Sequence, residues 1–146
     1  MKIAVIGSCA DESAFNKGEA EKLGRIIAES NHSLLFSIEN DMASVPTIAA
    51  ASAKQVEGTT IGFTHGSHTE DTHDNSTVVI TTGLPRGGPR EFVLLSSADL
   101  VICIGGGSGT LMEISMAYQM SKKIFIIRGT GGWSDRLKDG FLDSRK

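Results

Sequence analysis

The sequence predicts an α/β fold: a mostly parallel, six-stranded sheet covered by helices on both faces. Short apolar runs alternate with helix-like segments almost from end to end. The runs are continuous, as in "KIAVIGS" and "LVICIGG", rather than alternating in and out, which is how parallel strands buried on both faces read. Glycines cluster directly after these runs, where a chain must turn sharply from strand to helix. A Rossmann-like three-layer sandwich satisfies all three observations.

In chain order, Lys2 to Ser8 is the first buried strand. "ADES" then offers a cap and first-turn acids for a helix over roughly Ala14 to Ser30, with Ala20, Leu23 and Ile27 on one face. Ser33 to Ile38 is the second strand. Pro46, just after Ser44, opens a small-residue helix, "TIAAASAKQVEG", whose Ala/Ser face permits close backbone packing. Strands follow at Thr59 to Gly66 and Ser76 to Gly83, separated by the one long polar loop, "THGSHTEDTHDNS". "PREFVLLSSAD" is a short helix with Pro89 at its first position, and "LVICIGG" is the fifth strand. Gly109 to Lys122 is the next helix, "KIFIIRG" the sixth strand, and "TGGWSDRLKDG" a loop with a helical stub.

With 146 residues, no linker and no internal repeat, the chain reads as one domain, residues 1–146, long enough to bury a proper core. Its net charge of −3 argues against duplex nucleic acid, which needs a basic face. No apolar run approaches the roughly 18 residues of a membrane span. Met1-Lys2 leads straight into "IAVIG", with neither a signal h-region nor a cleavage site, so a cytoplasmic location is expected. Cys9 and Cys103 stand far apart and form no CxxC, consistent with reduced thiols.

In such sheets ligands sit beyond the carboxyl ends of the strands, where the strand order reverses. Two turns fall there. The first, "GSCADES", lacks the later glycines of GxGxxG; its Gly7 and Ser8 are nonetheless candidate ligand contacts. The second comprises Gly105, Gly106, Gly107, Ser108, Gly109 and Thr110, and is no P-loop because no Lys precedes the Thr. It presents backbone N–H groups, unhindered by Cβ, at a helix N-terminus, which favours a phosphate or carboxylate. The alternative is a plain tight corner, but so many glycines in one turn favour the anion site.

Thr110 and Glu113 also spell T-x-x-E, and on spacing alone a capping box is the favoured reading. Arg90 stands in the first turn of its helix, where a cation is disfavoured, so it either has an anionic or carboxylate partner or is a solvated surface residue. Arg86 carries a weaker signal of the same kind.

The stretch "GLPRGGPREFVLLSSADLVICIGGGSGTLMEISMAYQMSKK" resembles the LONELY GUY (LOG) family, formerly lysine-decarboxylase-like, and its Rossmann-like nucleotide-binding relatives. Gly106, Gly107, Gly109, Thr110 and Glu113 match the family's PGGxGTxxE motif, with Gly105 in place of its Pro, and Arg90 lies on the preceding helix. The resemblance implies a nucleotide-binding domain and, in active members, phosphoribohydrolase activity. That reaction cuts the N-glycosidic bond of a nucleoside 5′-monophosphate and requires no cofactor. It also implies Arg90 and Glu113 as the catalytic pair, with the glycine turn holding the phosphate. A carboxylate suits the positive charge that builds on the sugar, and a guanidinium fork can clamp phosphate or ribose oxygens.

Active members carry a second glycine-rich loop after strand two, whereas this chain has no glycine between Leu34 and Val56, and relatives often continue past the position of "GFLDSRK". With a glycine triplet replacing Pro-Gly-Gly, the branch resembles uncharacterised members and molybdenum-cofactor carrier proteins. Those hold a phosphate-bearing cofactor, the molybdenum cofactor, at the same turn without hydrolysing it. The alternative to hydrolysis is therefore a non-catalytic carrier or nucleotide sensor.

Smaller signals are weighed against blander readings. His65, His68 and His73 with Glu70, Asp71 and Asp74 fit no ligand spacing, so no metal site is expected. Cys9, near a helix start, is a candidate for a lowered pKa but more simply a small inert residue; Cys103, mid-strand, is core. Met112, Met116 and Met120 form a stripe beside the Leu111, Ile114 and Tyr118 face. Burial within the monomer competes with association through that stripe, and the resemblance favours a homodimer or higher homo-oligomer.

Overall fold

A computed structural model describes residues 1–9, 13–39, 41–66, 74–137 and 142–143. It contains the expected sandwich. Six strands, β1 (Lys2–Gly7), β2 (Ser33–Ser37), β3 (Thr60–Phe63), β4 (Val78–Ile80), β5 (Leu100–Ile104) and β6 (Lys123–Ile127), pair wholly in parallel in the order β4-β3-β2-β1-β5-β6. The strand order therefore reverses between β1 and β5, where Gly7 is in register with Ile104 and both strands finish at the same, carboxyl, end of the sheet. Parallel strands require crossovers, and among the described residues five helices supply or follow them: α1 (Ala14–Glu29), α2 (Val45–Gln55), α3 (Pro89–Ser97), α4 (Ser108–Gln119) and the short α5 (Gly132–Arg136).

Helices α1 and α2 cover one face of the sheet. Their core combines Ala20, Ile27, Ala49, Ala50 and Ala53 with Ile3, Val5, Leu34 and Phe36 from the strands. The small-residue face of α2 does what its composition predicts, since Ala49, Ser52 and Ala53 are buried. Gly24 of α1 sits directly under the Ala49 backbone, and a Cβ there would overlap the Ala49 carbonyl. Ser52 Oγ ties the pair by donating to the Glu21 carbonyl across 2.8 Å.

Helices α3 and α4 cover the opposite face, packing Leu94, Leu95, Ile114 and Ala117 on Ile6, Leu35, Val101 and Cys103. Met116 and Met120 join this core, so the stripe is partly absorbed within the chain. Cys103 is fully buried, as expected of a mid-strand thiol, and burial pushes its pKa up to about 11. Among the described residues no helix is long and apolar enough to cross a membrane.

Two local readings need correction. The acids of "ADES" do not enter the first turn of α1: Ser13 is the N-cap, its Oγ accepting from Asn16 N at 3.1 Å, so Asp11 and Glu12 precede the helix in sequence and lie outside the described residues. The Thr110–Glu113 capping box does not form either. Helix α4 begins two residues earlier than Thr110, with Gly107 as its N-cap, and Thr110 Oγ1 instead donates to the Gly7 carbonyl at 3.0 Å. Most of the His-rich loop, including His68, Glu70, Asp71 and His73, lies outside the described residues.

Candidate functional site

A cleft of about 390 Å³ opens beyond the carboxyl ends of β1, β2 and β5, at the reversal point. One wall is the turn from β5 into α4. Gly105 and Gly106 have positive φ, +64° and +106°, a conformation that favours glycine. These two residues form the frame rather than the lining. Gly105 N donates to Thr130 Oγ1 at 2.9 Å and Gly106 N to Ser8 Oγ at 2.7 Å, while their carbonyls accept from Ser134 and Trp133 of α5. Ser8 is thus occupied in bracing the turn.

The next four residues are different. Gly107, Ser108, Gly109 and Thr110 line the cleft, and their N–H groups find no partner among the described residues. They are the first amides of a 12-residue helix, so the end of its dipole adds to the four free donors. A Cβ added at Gly107 or Gly109 would meet nothing within 4 Å, which leaves this side open to close approach. Gly7 borders the same space.

The facing wall is built by α3 and by the segment after β2. Arg90 is only 2% exposed. Its Nη2 donates to Glu39 Oε1 and to Glu91 Oε1, each at 2.6 Å, its Nε to Glu91 Oε1 at 2.9 Å, and its Nη1 to the Ile38 and Phe63 carbonyls at 3.3 and 3.4 Å. Every arm of the guanidinium fork is engaged. Burial opposes the Arg90 charge, but Glu39 and then Glu91 hold its pKa above the ordinary value. Glu91 also accepts from Gly88 N at 2.7 Å, capping α3; despite burial, that bond and Arg90 keep its carboxyl below the usual range. At the cleft mouth Arg86 pairs with Asp41 at 2.7 Å and with Glu39 Oε2 at 2.9 Å. The carboxylate partner that Arg90 demanded is therefore present, and it comes chiefly from Glu39.

Sequence reasoning did not single out Glu39. It occupies the glycine-poor segment after β2 and meets Arg90 across 51 residues of chain. The available signal was the substitution of acids, "IENDM", for a flexible glycine run.

Glu113 also lines the cleft, one turn beyond the free amides. Its half-buried carboxyl makes no hydrogen bond or ion pair with any described residue. Burial, then the neighbouring Glu91 charge, pushes its pKa from 4.5 up to about 8, with Arg90 opposing and Glu39 adding a little. At neutral pH Glu113 is a neutral acid with a proton to give. Cys9 and Met42 complete the rim, and Cys9 is exposed.

Fold and site together define an α/β domain in which a helix terminus with free amides faces a buried ion-pair cluster across a cleft. The model of the SLOG cluster4 family matches residues 1–145, and the chain belongs to that family. The crystal structure of TM1055, a structural-genomics target, superposes with a TM-score of 0.84 at 30% identity, over 99% of this chain and 86% of that one. The molybdenum cofactor binding protein of the phototrophic bacterium Rippkaea orientalis superposes with a TM-score of 0.75 at 32% identity, over 84% of this chain and 73% of that one. The molybdenum cofactor carrier protein of Chlamydomonas reinhardtii gives a TM-score of 0.74 at 30% identity, over the same shares, 84% and 73%. The chain is thus a SLOG/LOG-like protein similar to molybdenum-cofactor carrier proteins.

Proposed function

We propose that this protein binds a phosphate-bearing small molecule, of the molybdenum-cofactor or nucleotide class, and holds it without cleaving it. The free amides of Gly107 to Thr110 take the phosphate. The cleft volume, about 390 Å³, is within the usual range for such ligands. The open space over Gly107 and Gly109 fits close approach of a phosphate-bearing cofactor, and similarity to carrier proteins supports the same reading. As bound cargo, the molybdenum cofactor would supply no chemistry to this chain.

The observation that carries the reading is the Arg90 fork. A guanidinium that clamped substrate oxygens would need free arms, and here Glu39, Glu91 and two carbonyls engage them all. Arg90 is on this reading a structural cation that fixes the cleft wall rather than a catalytic residue.

One observation favours the rival reading, N-glycosidic hydrolysis with Arg90 and Glu113 as the catalytic pair. A departing base needs a proton, and Glu113 retains one up to about pH 8. Incubation with a panel of nucleoside 5′-monophosphates separates the two. Saturable binding with no free base supports the carrier; base release that Glu113→Ala abolishes establishes the hydrolase. The proposal extends to a cytoplasmic homo-oligomer, consistent with the exposed Phe92 (55%) on α3; a monomeric mass by light scattering at micromolar concentration would remove that extension.

A further inference from the structure

The cleft has two chemically distinct ends, and the second end names part of the ligand. Beyond the four free amides, the lining turns acidic: Glu39 after β2, Glu91 on α3 and Glu113 on α4. Two of these carboxylates already have guanidinium partners, whereas Glu113 has no hydrogen-bonding partner among the described residues. The groups surrounding Glu113 are Glu91 and Arg90 from α3, Glu39 from the β2 segment and the Cys103 thiol from β5. Among the described residues the cations lining the cleft are Arg90 and Arg86; Arg90 is committed to Glu39 and Glu91, and Arg86 to Glu39 and Asp41. An anion seated on the Gly107–Thr110 amides would add more negative charge to the same cleft.

We infer that Glu113 acts as a neutral carboxylic acid that reads a donor–acceptor edge, an amide or amidine, on the heterocycle of the phosphorylated ligand. This rests on the proposed binding of a phosphate-bearing molecule and deepens it. A neutral carboxyl offers one O–H donor and one carbonyl acceptor side by side, which pairs with an N–H beside a C=O or an N–H₂ beside a ring nitrogen. An ionised carboxylate offers acceptors only and would reject that edge while repelling the phosphate. Heterocycles of the purine and pterin kind carry such edges; ribose phosphate alone does not. Glu113→Gln preserves both the donor and the acceptor and removes the titration, so it separates recognition from any role that requires the charge or the proton.

The test is equilibrium binding by calorimetry to AMP (amidine edge) and ribose 5-phosphate at pH 7.0 and 9.5, in the wild type, Glu113→Gln and Glu113→Ala. Nucleotide affinity of the wild type is expected to fall about thirtyfold between the two pH values, the loss of protonated Glu113 for a pKa of about 8. Glu113→Gln should keep the pH 7.0 affinity and lose the pH dependence, and Glu113→Ala should reduce AMP to the level of ribose 5-phosphate. A Gln variant as weak as Ala, or wild-type nucleotide binding that is flat with pH, overturns the inference. Ribose 5-phosphate binding as tightly as AMP also overturns it while leaving the phosphate site intact. If neither sugar phosphate nor nucleotide binds, the underlying reading fails too.

Discussion

Arg90 Nη2 meets Glu39 Oε1 at 2.6 Å, with side chains 2% and 7% exposed, and this contact joins the helix before β5 to the segment after β2. Removing one partner of a buried pair leaves the other uncompensated, which typically costs about 3–5 kcal/mol. Glu39→Ala should fall at or below the low end, since Glu91 still faces Arg90. Arg90→Ala should cost more, because it removes a donor from both carboxylates and from the Ile38 and Phe63 carbonyls at once, leaving Glu39 only Arg86 and Glu91 only the Gly88 N–H. Arg90→Lys cannot reach all four acceptors from one ammonium and should also destabilise. Urea unfolding of the three variants checks the order.

Glu113 gives stability a pH dependence of unusual sign. Its folded pKa, about 8, lies above the unfolded value of 4.5, so the native state binds the extra proton between those limits. This group's contribution is therefore most favourable below pH 4.5, declines as pH rises to about 8, and is flat above it. Glu113→Gln should be close to neutral at pH 5 and more stable than wild type by a few kcal/mol at pH 8.5, at about 1.4 kcal/mol per pH unit. Thermal melts at the two pH values measure the difference. Equal changes at both would show that Glu113 titrates normally.

Two kinds of glycine share one turn, and alanine should tell them apart. Gly106 has φ +106° and no room beside Thr110, so Gly106→Ala should destabilise strongly and displace α4. Gly109 lies in the first turn of α4 with open space around its Cβ position. Gly109→Ala should stabilise the fold by about 0.5–1 kcal/mol through helix propensity. The same methyl would narrow the approach to the amides and weaken ligand binding, so opposite signs for stability and affinity are the expected signature.

Sequence pattern made the architecture legible because buried parallel strands and glycine-terminated turns leave local marks. All six strands and the α1 to α4 helices are local patterns of this kind, and Gly7 with Gly107 to Thr110 could be placed at one site by topology alone. Long-range pairing was not legible. The demand of Arg90 for an anion could be read from its position, but nothing local says that Glu39 meets it across 51 residues. The T-x-x-E pattern misled for a related reason: Gly107 caps α4 without a side chain, and Thr110 turns to the Gly7 carbonyl on another strand. Gly105 and Gly106 lie in the glycine turn, but their polar groups are taken by Ser8, which follows β1, and by Thr130, Trp133 and Ser134, which lie beyond β6.

The two thiols should react differently. Cys9 is exposed on the cleft rim, whereas Cys103 is buried with its pKa pushed up to about 11. Iodoacetamide should label one site per native chain, at Cys9, and reach Cys103 only after denaturation. Ligand in the cleft should slow labelling of Cys9; mass spectrometry of digests reads both outcomes.

The most direct measurement is an ¹⁵N–¹H correlation spectrum followed through a titration with GMP. The account predicts that the amides of Gly107, Ser108, Gly109 and Thr110 shift most and saturate together, while the ligand's own proton signals show no free base after prolonged incubation. Unmoved amides at these four positions, or the steady appearance of guanine, would contradict it.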